Sequence, residues 1–80
     1  ELKKYEGLYK SPEFPLDIRI FVEDDQLKAQ ATGQGSLILS SYEKDRFVFK
    51  MAGIDLKFDT ANNKMELRQA GNFVEMYRDK

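Results

Sequence analysis

Leu16-Asp17-Ile18-Arg19-Ile20-Phe21-Val22-Glu23, then Asp24-Asp25, then Gln26-Leu27-Lys28-Ala29-Gln30-Ala31-Thr32, is the stretch that decides the fold. Leu16, Ile18, Ile20 and Val22 alternate with Asp17, Arg19, Phe21 and Glu23, and Leu27, Ala29 and Ala31 alternate with Lys28, Gln30 and Thr32. Successive side chains of a strand point to opposite faces, so this alternation specifies two strands with one face buried and one in water. Only Asp24-Asp25 separates the two runs, which is a tight hairpin signal.

The same period continues on both sides. Before it, Tyr5-Glu6-Gly7-Leu8-Tyr9 reads as a short strand or the entry into one, and Ser11-Pro12-Glu13-Phe14-Pro15 is a loop, because its prolines cannot donate to a ladder. After it, Gly33-Gln34-Gly35 breaks the chain and residues 36–42 form a strand around Leu37 and Leu39. Glu43-Lys44-Asp45 turns into 46–51, with Phe47, Phe49 and Met51 on one face. Ala52-Gly53 leads to 54–59, where Ile54, Leu56 and Phe58 alternate with Asp55, Lys57 and Asp59. Thr60-Ala61-Asn62-Asn63 is a turn rich in residues that tolerate left-handed geometry. Strands 64–69 and 73–78 follow, joined by Ala70-Gly71-Asn72.

These make eight candidate strands joined by connections of two to six residues, with no helix-period stretch between them. Parallel crossovers need about a dozen residues or more, so the connections dictate antiparallel hairpins. The expected fold is all-β: an eight-stranded antiparallel meander that closes as a small barrel and abolishes its edges. Helix is expected to fall below one turn in ten residues.

Eighty residues with 41 % hydrophobic content make one domain, 1–80, with a thin core. A chain this short buries only roughly 60–65 % of its unfolded surface. It has neither cysteine nor histidine, so a disulfide staple, the usual zinc frameworks and a Ser-His relay are all missing. A small domain without a staple reads as a piece excised from a longer protein. Thirteen basic residues stand against 14 acidic ones for a net charge of −1. They are interspersed, which argues against nucleic acid, whose partners cluster basic residues on one face. No run approaches the ~20 apolar residues of a membrane span.

Few residue patterns suggest chemistry. Ser41-Tyr42-Glu43-Lys44 has the Ser-x-x-Lys spacing of penicillin-binding enzymes, but that geometry wants a helix and these residues lead from a strand into a hairpin. Glu23-Asp24-Asp25 and Asp59 to Asn63 supply too few oxygens for calcium and read as turns, so no metal or cofactor is expected. Two features survive. Gln34, Gln69 and Arg78 carry the inward phase at strand ends and are expected to gather at one mouth of the barrel. There they would either satisfy backbone carbonyls or orient a ligand. The last strand has a rival phase, however, through Phe73, Glu75 and Tyr77. Phe21, Ile38 and Val48 carry the outward phase, with Phe73 joining them if Val74 faces inward. On neighbouring strands they would form a docking patch rimmed by charge.

Tyr5-Glu6-Gly7-Leu8-Tyr9, the run from Leu27 through Ala31-Thr32-Gly33-Gln34, Phe47, Ile54-Asp55-Leu56-Lys57-Phe58, Gln69-Ala70-Gly71 and Arg78 together carry a resemblance. The chain resembles the small lipocalin-like domain found at the C-terminus of β-lactamase-related serine hydrolases. That resemblance implies a half-size lipocalin-like barrel, an exported or periplasmic parent, and a catalytic Ser-x-x-Lys lying in a separate upstream domain. Gly33, Gln34, Gln69, Gly71 and Arg78 are then architectural positions. The expected function is a non-catalytic accessory domain that packs on the upstream hydrolase domain or on a second copy. The alternative is a small-molecule or peptide binder with its ligand inside the barrel. An eight-stranded barrel is just wide enough for either side chains or one small ligand. The inward bulk of Phe47, Phe49, Phe58 and Met65 favours filling by side chains.

Overall fold

The computed structural model describes residues 1–79. Nine strands run in chain order: β1 Gly7–Lys10, β2 Ile18–Glu23, β3 Gln26–Ala31, β4 Ser36–Ile38, β5 Ser40–Glu43, β6 Arg46–Phe49, β7 Ile54–Asp59, β8 Lys64–Gln69 and β9 Asn72–Asp79. All adjacent pairs are antiparallel, and the order β4-β3-β2-β1-β9-β8-β7-β6-β5 is a meander whose first and last strands meet through β1 and β9. The sheet curls into a nearly closed barrel. Among the described residues the remaining regular structure is three single 3₁₀ turns, at Lys3–Tyr5, Lys50–Ala52 and Thr60–Asn62.

The ninth strand arises from the way the barrel closes. Residues 36–42 read as one strand, yet Ser36–Ile38 pairs with β3 while Ser40 and Ser41 pair with β6. Leu39 is the crossing point: its side chain is buried, and its N–H donates to the Leu27 carbonyl at 2.9 Å. One extended segment thus serves both ends of the sheet, and its middle side chain enters the core. Closure removes the long unpaired edges that an open sheet would offer to other chains.

Local turn chemistry fixes the register. Asp24 and Asp25 have φ of 55° and 62°, and Ala70 and Gly71 have φ of 51° and 82°. Both pairs are two-residue hairpins with left-handed residues at the two central positions, the twist that matches paired strands. The β6–β7 and β7–β8 connections share a different design, a 3₁₀ turn ended by a left-handed residue, Gly53 and Asn63 respectively. The first of these corrects the expectation for Met51. The strand stops at Phe49, and Met51 stands in the turn, 93 % exposed.

The core is graded along the barrel axis. At one end the rings of Tyr5, Tyr9, Phe47 and Phe58 pack with centroids 4.7–5.9 Å apart. Ile20, Leu27, Leu56, Met65 and Met76 fill the middle and are almost wholly buried. Met76 buried and Phe73 and Tyr77 exposed settle the phase of β9: Val74, Met76 and Arg78 face inward. At the far end β3 contributes only the small side chains of Ala29 and Ala31, and the filling stops.

Candidate functional site

That unfilled end is a pocket of about 340 Å³. Ala29 and Ala31 of β3, Leu37 of β4, Ile54 of β7 and Leu67 of β8 form its walls, and Phe14 from the proline-rich loop closes one side. The sequence explains the void. Inward positions of β3 shrink from Leu27 to Ala29 and Ala31, and Gly35 adds no side chain at all. Facing residues reach across only in part. The loop bearing Phe14 is anchored where it enters β2: Thr32 N–H donates to the Asp17 carbonyl at 3.0 Å, and Asp17 N–H donates to Thr32 Oγ1 at 3.1 Å.

Among the described residues lining the pocket, none is ionisable, and the polar side chains are two amides, Gln34 and Gln69. Gln34 sits at the rim with its backbone fixed. Its N–H donates to the Ala31 carbonyl at 3.0 Å, and its carbonyl accepts from Gln30 Nε2 at 2.9 Å. Gln69 ends β8, and its Nε2 donates across to the Ala52 carbonyl at 3.1 Å.

Arg78 does not join them. β8 and β9 are antiparallel with Lys64 opposite Tyr77 and Gln69 opposite Asn72, so the end of β9 lies where β8 begins. The expectation of a three-residue cluster at one mouth fails on that geometry. Arg78 stands at the aromatic end, where its Nη1 donates to the carbonyls of Lys4 at 2.8 Å and Glu6 at 3.0 Å. Its Nε and Nη2 both donate to Asn63 Oδ1, at 3.0 and 2.7 Å. It ties the N-terminal turn to the β7–β8 hairpin and shuts that end of the barrel. Tyr5 completes the seal, donating its hydroxyl to Asp45 Oδ1 at 2.6 Å. Burial first, and the Asp45 carboxylate second, push the Tyr5 hydroxyl up to about 12. The barrel therefore has one closed end and one open one.

On the outer wall, Phe21, Lys28 and Ile38 lie in one cross-strand row. Val48 pairs with Ser40, two residues beyond Ile38 on the same face. The row is partly covered from within the chain. The Arg19 guanidinium lies 4.6 Å from the centre of the Phe21 ring, leaving Phe21 half-buried. The Lys28 side chain is only 12 % exposed, and its Nζ reaches Glu23 at 2.6 Å. Ile38 keeps 48 % of its surface. Ser41 is on β5 and Lys44 in the hairpin beyond it, with a register shift between them. Among the described residues, no group of three acidic side chains converges as a cation site.

Residue reasoning put both amides at a barrel mouth but favoured an interior filled by side chains, where the structure has a pocket. The available signal was the coincidence of small inward residues, Ala29, Ala31 and Gly35, with an apolar residue, Phe14, inside an otherwise polar loop. No family model, no curated protein and no solved structure matches this chain.

Proposed function

We propose that this chain is a non-catalytic binding module that holds a small, neutral, largely apolar molecule in the open end of its barrel. The observation that carries this reading is the pocket itself: about 340 Å³, walled by aliphatic side chains and without an ionisable group among its described lining residues. Ligand pockets run from ~300 to ~1,000 Å³ and combine apolar walls with a few polar groups that fix orientation. Burying a charge in such a site without a partner is costly, so the occupant is uncharged. The resemblance to an appended domain of serine hydrolases supports the non-catalytic part of the proposal.

The other role suggested by the sequence is docking on an upstream hydrolase domain or on a second copy. It rests on Phe21, Ile38 and Val48, and Arg19 and Glu23 already cover part of the row Phe21–Lys28–Ile38. The pocket supports ligand binding further than the row supports docking.

Titration with the neutral fluorophore N-phenyl-1-naphthylamine tests the proposal. Saturable binding to the wild type is expected, with loss in Ala31→Phe, which plants a ring in the pocket. Phe21→Asp, on the outer wall, should bind as the wild type does and remain folded. Equal binding by the wild type and Ala31→Phe would place the fluorophore elsewhere and end the reading.

A further inference from the structure

Within the proposed binding role, on which this inference rests, the depth of the pocket limits the size of its occupant. The lining comprises Ala31 and Ala29 on β3, Ile54 and Leu56 on β7, and Gln69 and Leu67 on β8. These are the first two inward positions of each strand counted from the mouth. The third inward positions, Leu27, Phe58 and Met65, are not part of the lining and are at most 3 % exposed. All three strands therefore stop the pocket after two side chains, which on one strand lie only ~6.5 Å apart. The floor belongs to the packed part of the barrel. Phe58 and Met65 are cross-strand partners, and the Phe58 ring packs on Tyr5, Tyr9 and Phe47. A close-packed interior does not make room for further atoms without cost.

An apolar cavity of ~150 Å³ accommodates benzene. On that scale a pocket of about 340 Å³ has room for about a dozen non-hydrogen atoms. We infer that the ligand is a compact apolar molecule within that limit, a one- or two-ring compound or a medium-length chain, and that a long lipid chain gains no more hold than a medium one. The fluorophore named above would seat its naphthyl rings and leave its phenyl ring at the mouth.

Straight-chain primary alcohols from butanol to dodecanol would be titrated into the wild type and into Ala29→Leu, which fills part of the deeper level. Binding is read directly from the methyl resonances of Ile54 and Leu67. On the wild type, affinity is expected to rise about three- to fourfold with each added carbon and to stop rising at or before decanol, with dodecanol bound no tighter. Ala29→Leu should bind butanol as the wild type does and reach its limit about three carbons earlier, the bulk that the substitution adds. Ala29→Val, the milder change, gives the same comparison with a smaller shift should Ala29→Leu not fold. A steady rise through dodecanol on the wild type, or a limit that stays in place when Ala29 is enlarged, would overturn the inference and leave the pocket reading intact. If the wild type binds neither the fluorophore nor any alcohol, the pocket reading falls and this inference falls with it.

Discussion

The side chain of Arg78 passes so close to the backbone of Gly7 that a Cβ on Gly7 would stand 2.5 Å from Arg78 Cδ and 2.8 Å from its Cγ. Gly7 also has φ of +155°, which side chains rarely adopt. Arg78 cannot swing aside cheaply, because its guanidinium is held by Lys4, Glu6 and Asn63. Glycine at position 7 is thus the condition for an arginine cap at position 78.

Gly7→Ala is accordingly expected to cost about 2–3 kcal/mol, combining backbone strain with loss of part of the cap. Arg78→Met should cost a similar amount by leaving the carbonyls of Lys4 and Glu6 without their donor. The two costs should not add in the double variant, since both break one contact. Urea unfolding of the three variants checks this; full additivity would show that the two residues act separately.

That contact also marks where sequence reading stops. Alternation in residues 16–32 and the left-handed residues at 24–25 and 63 are local signals, and each specified a strand or turn that the structure contains. The division of 36–42 at Leu39 is not local, because it depends on which strands stand at the sheet's two ends after curling. The placement of Arg78 follows from antiparallel pairing alone: side-chain phase says which face a residue takes, whereas the mouth it reaches depends on strand direction. The pocket was hidden for a related reason. Phe47, Phe58 and Met65 are inward and bulky, but they fill other levels of the barrel from Ala29 and Ala31.

Ala70 is a second place where sequence and geometry disagree. It holds φ of +51° at the first position of the β8–β9 turn, where asparagine or glycine is the usual choice. A left-handed conformation costs a residue with a Cβ roughly 1–2 kcal/mol, and asparagine recovers part of that by local hydrogen bonding. Ala70→Asn should therefore stabilise the protein by about 0.5–1 kcal/mol, raising Tm by roughly 2–8 °C for a domain of this size. Ala70→Val should do the reverse. A thermal melt in which Ala70→Asn lies below the wild type would show that the turn is not strained at this position.

Stability should fall in alkali. The Tyr5 hydroxyl, ordinarily near 10, is pushed up to about 12, and burial also raises Tyr9. Above pH 10 the unfolded chain releases the Tyr5 proton while the folded chain keeps it, so the unfolded state is stabilised relative to the folded one. The Tyr5 contribution is whole below pH 10 and is lost as pH rises towards 12. A tenfold difference in proton affinity between the two states is worth ~1.4 kcal/mol, which puts the loss between about pH 9 and about pH 11 at roughly 1–2 kcal/mol. Tyr5→Phe should be less stable at neutral pH through loss of the Asp45 bond, and much flatter over that range. An unchanged slope in Tyr5→Phe would assign the alkaline loss to other groups.

The open end of the barrel should respond to added bulk in the opposite way from a filled core. Enlarging a packed side chain usually costs ~1–3 kcal/mol through displaced neighbours. Ala31, however, is only partly covered and borders a void of about 340 Å³. A leucine there has room, and burying its added methyl groups is favourable by ~1–2 kcal/mol. Ala31→Leu is therefore expected to match or exceed the wild type in chemical denaturation while binding the apolar fluorophore several-fold more weakly. Gain in stability with loss of binding is the signature of a cavity kept open at the expense of packing. If Ala31→Leu instead loses about 2 kcal/mol or more, the wall at Ala31 is already closed in solution, and the ligand site has to be sought elsewhere on the barrel.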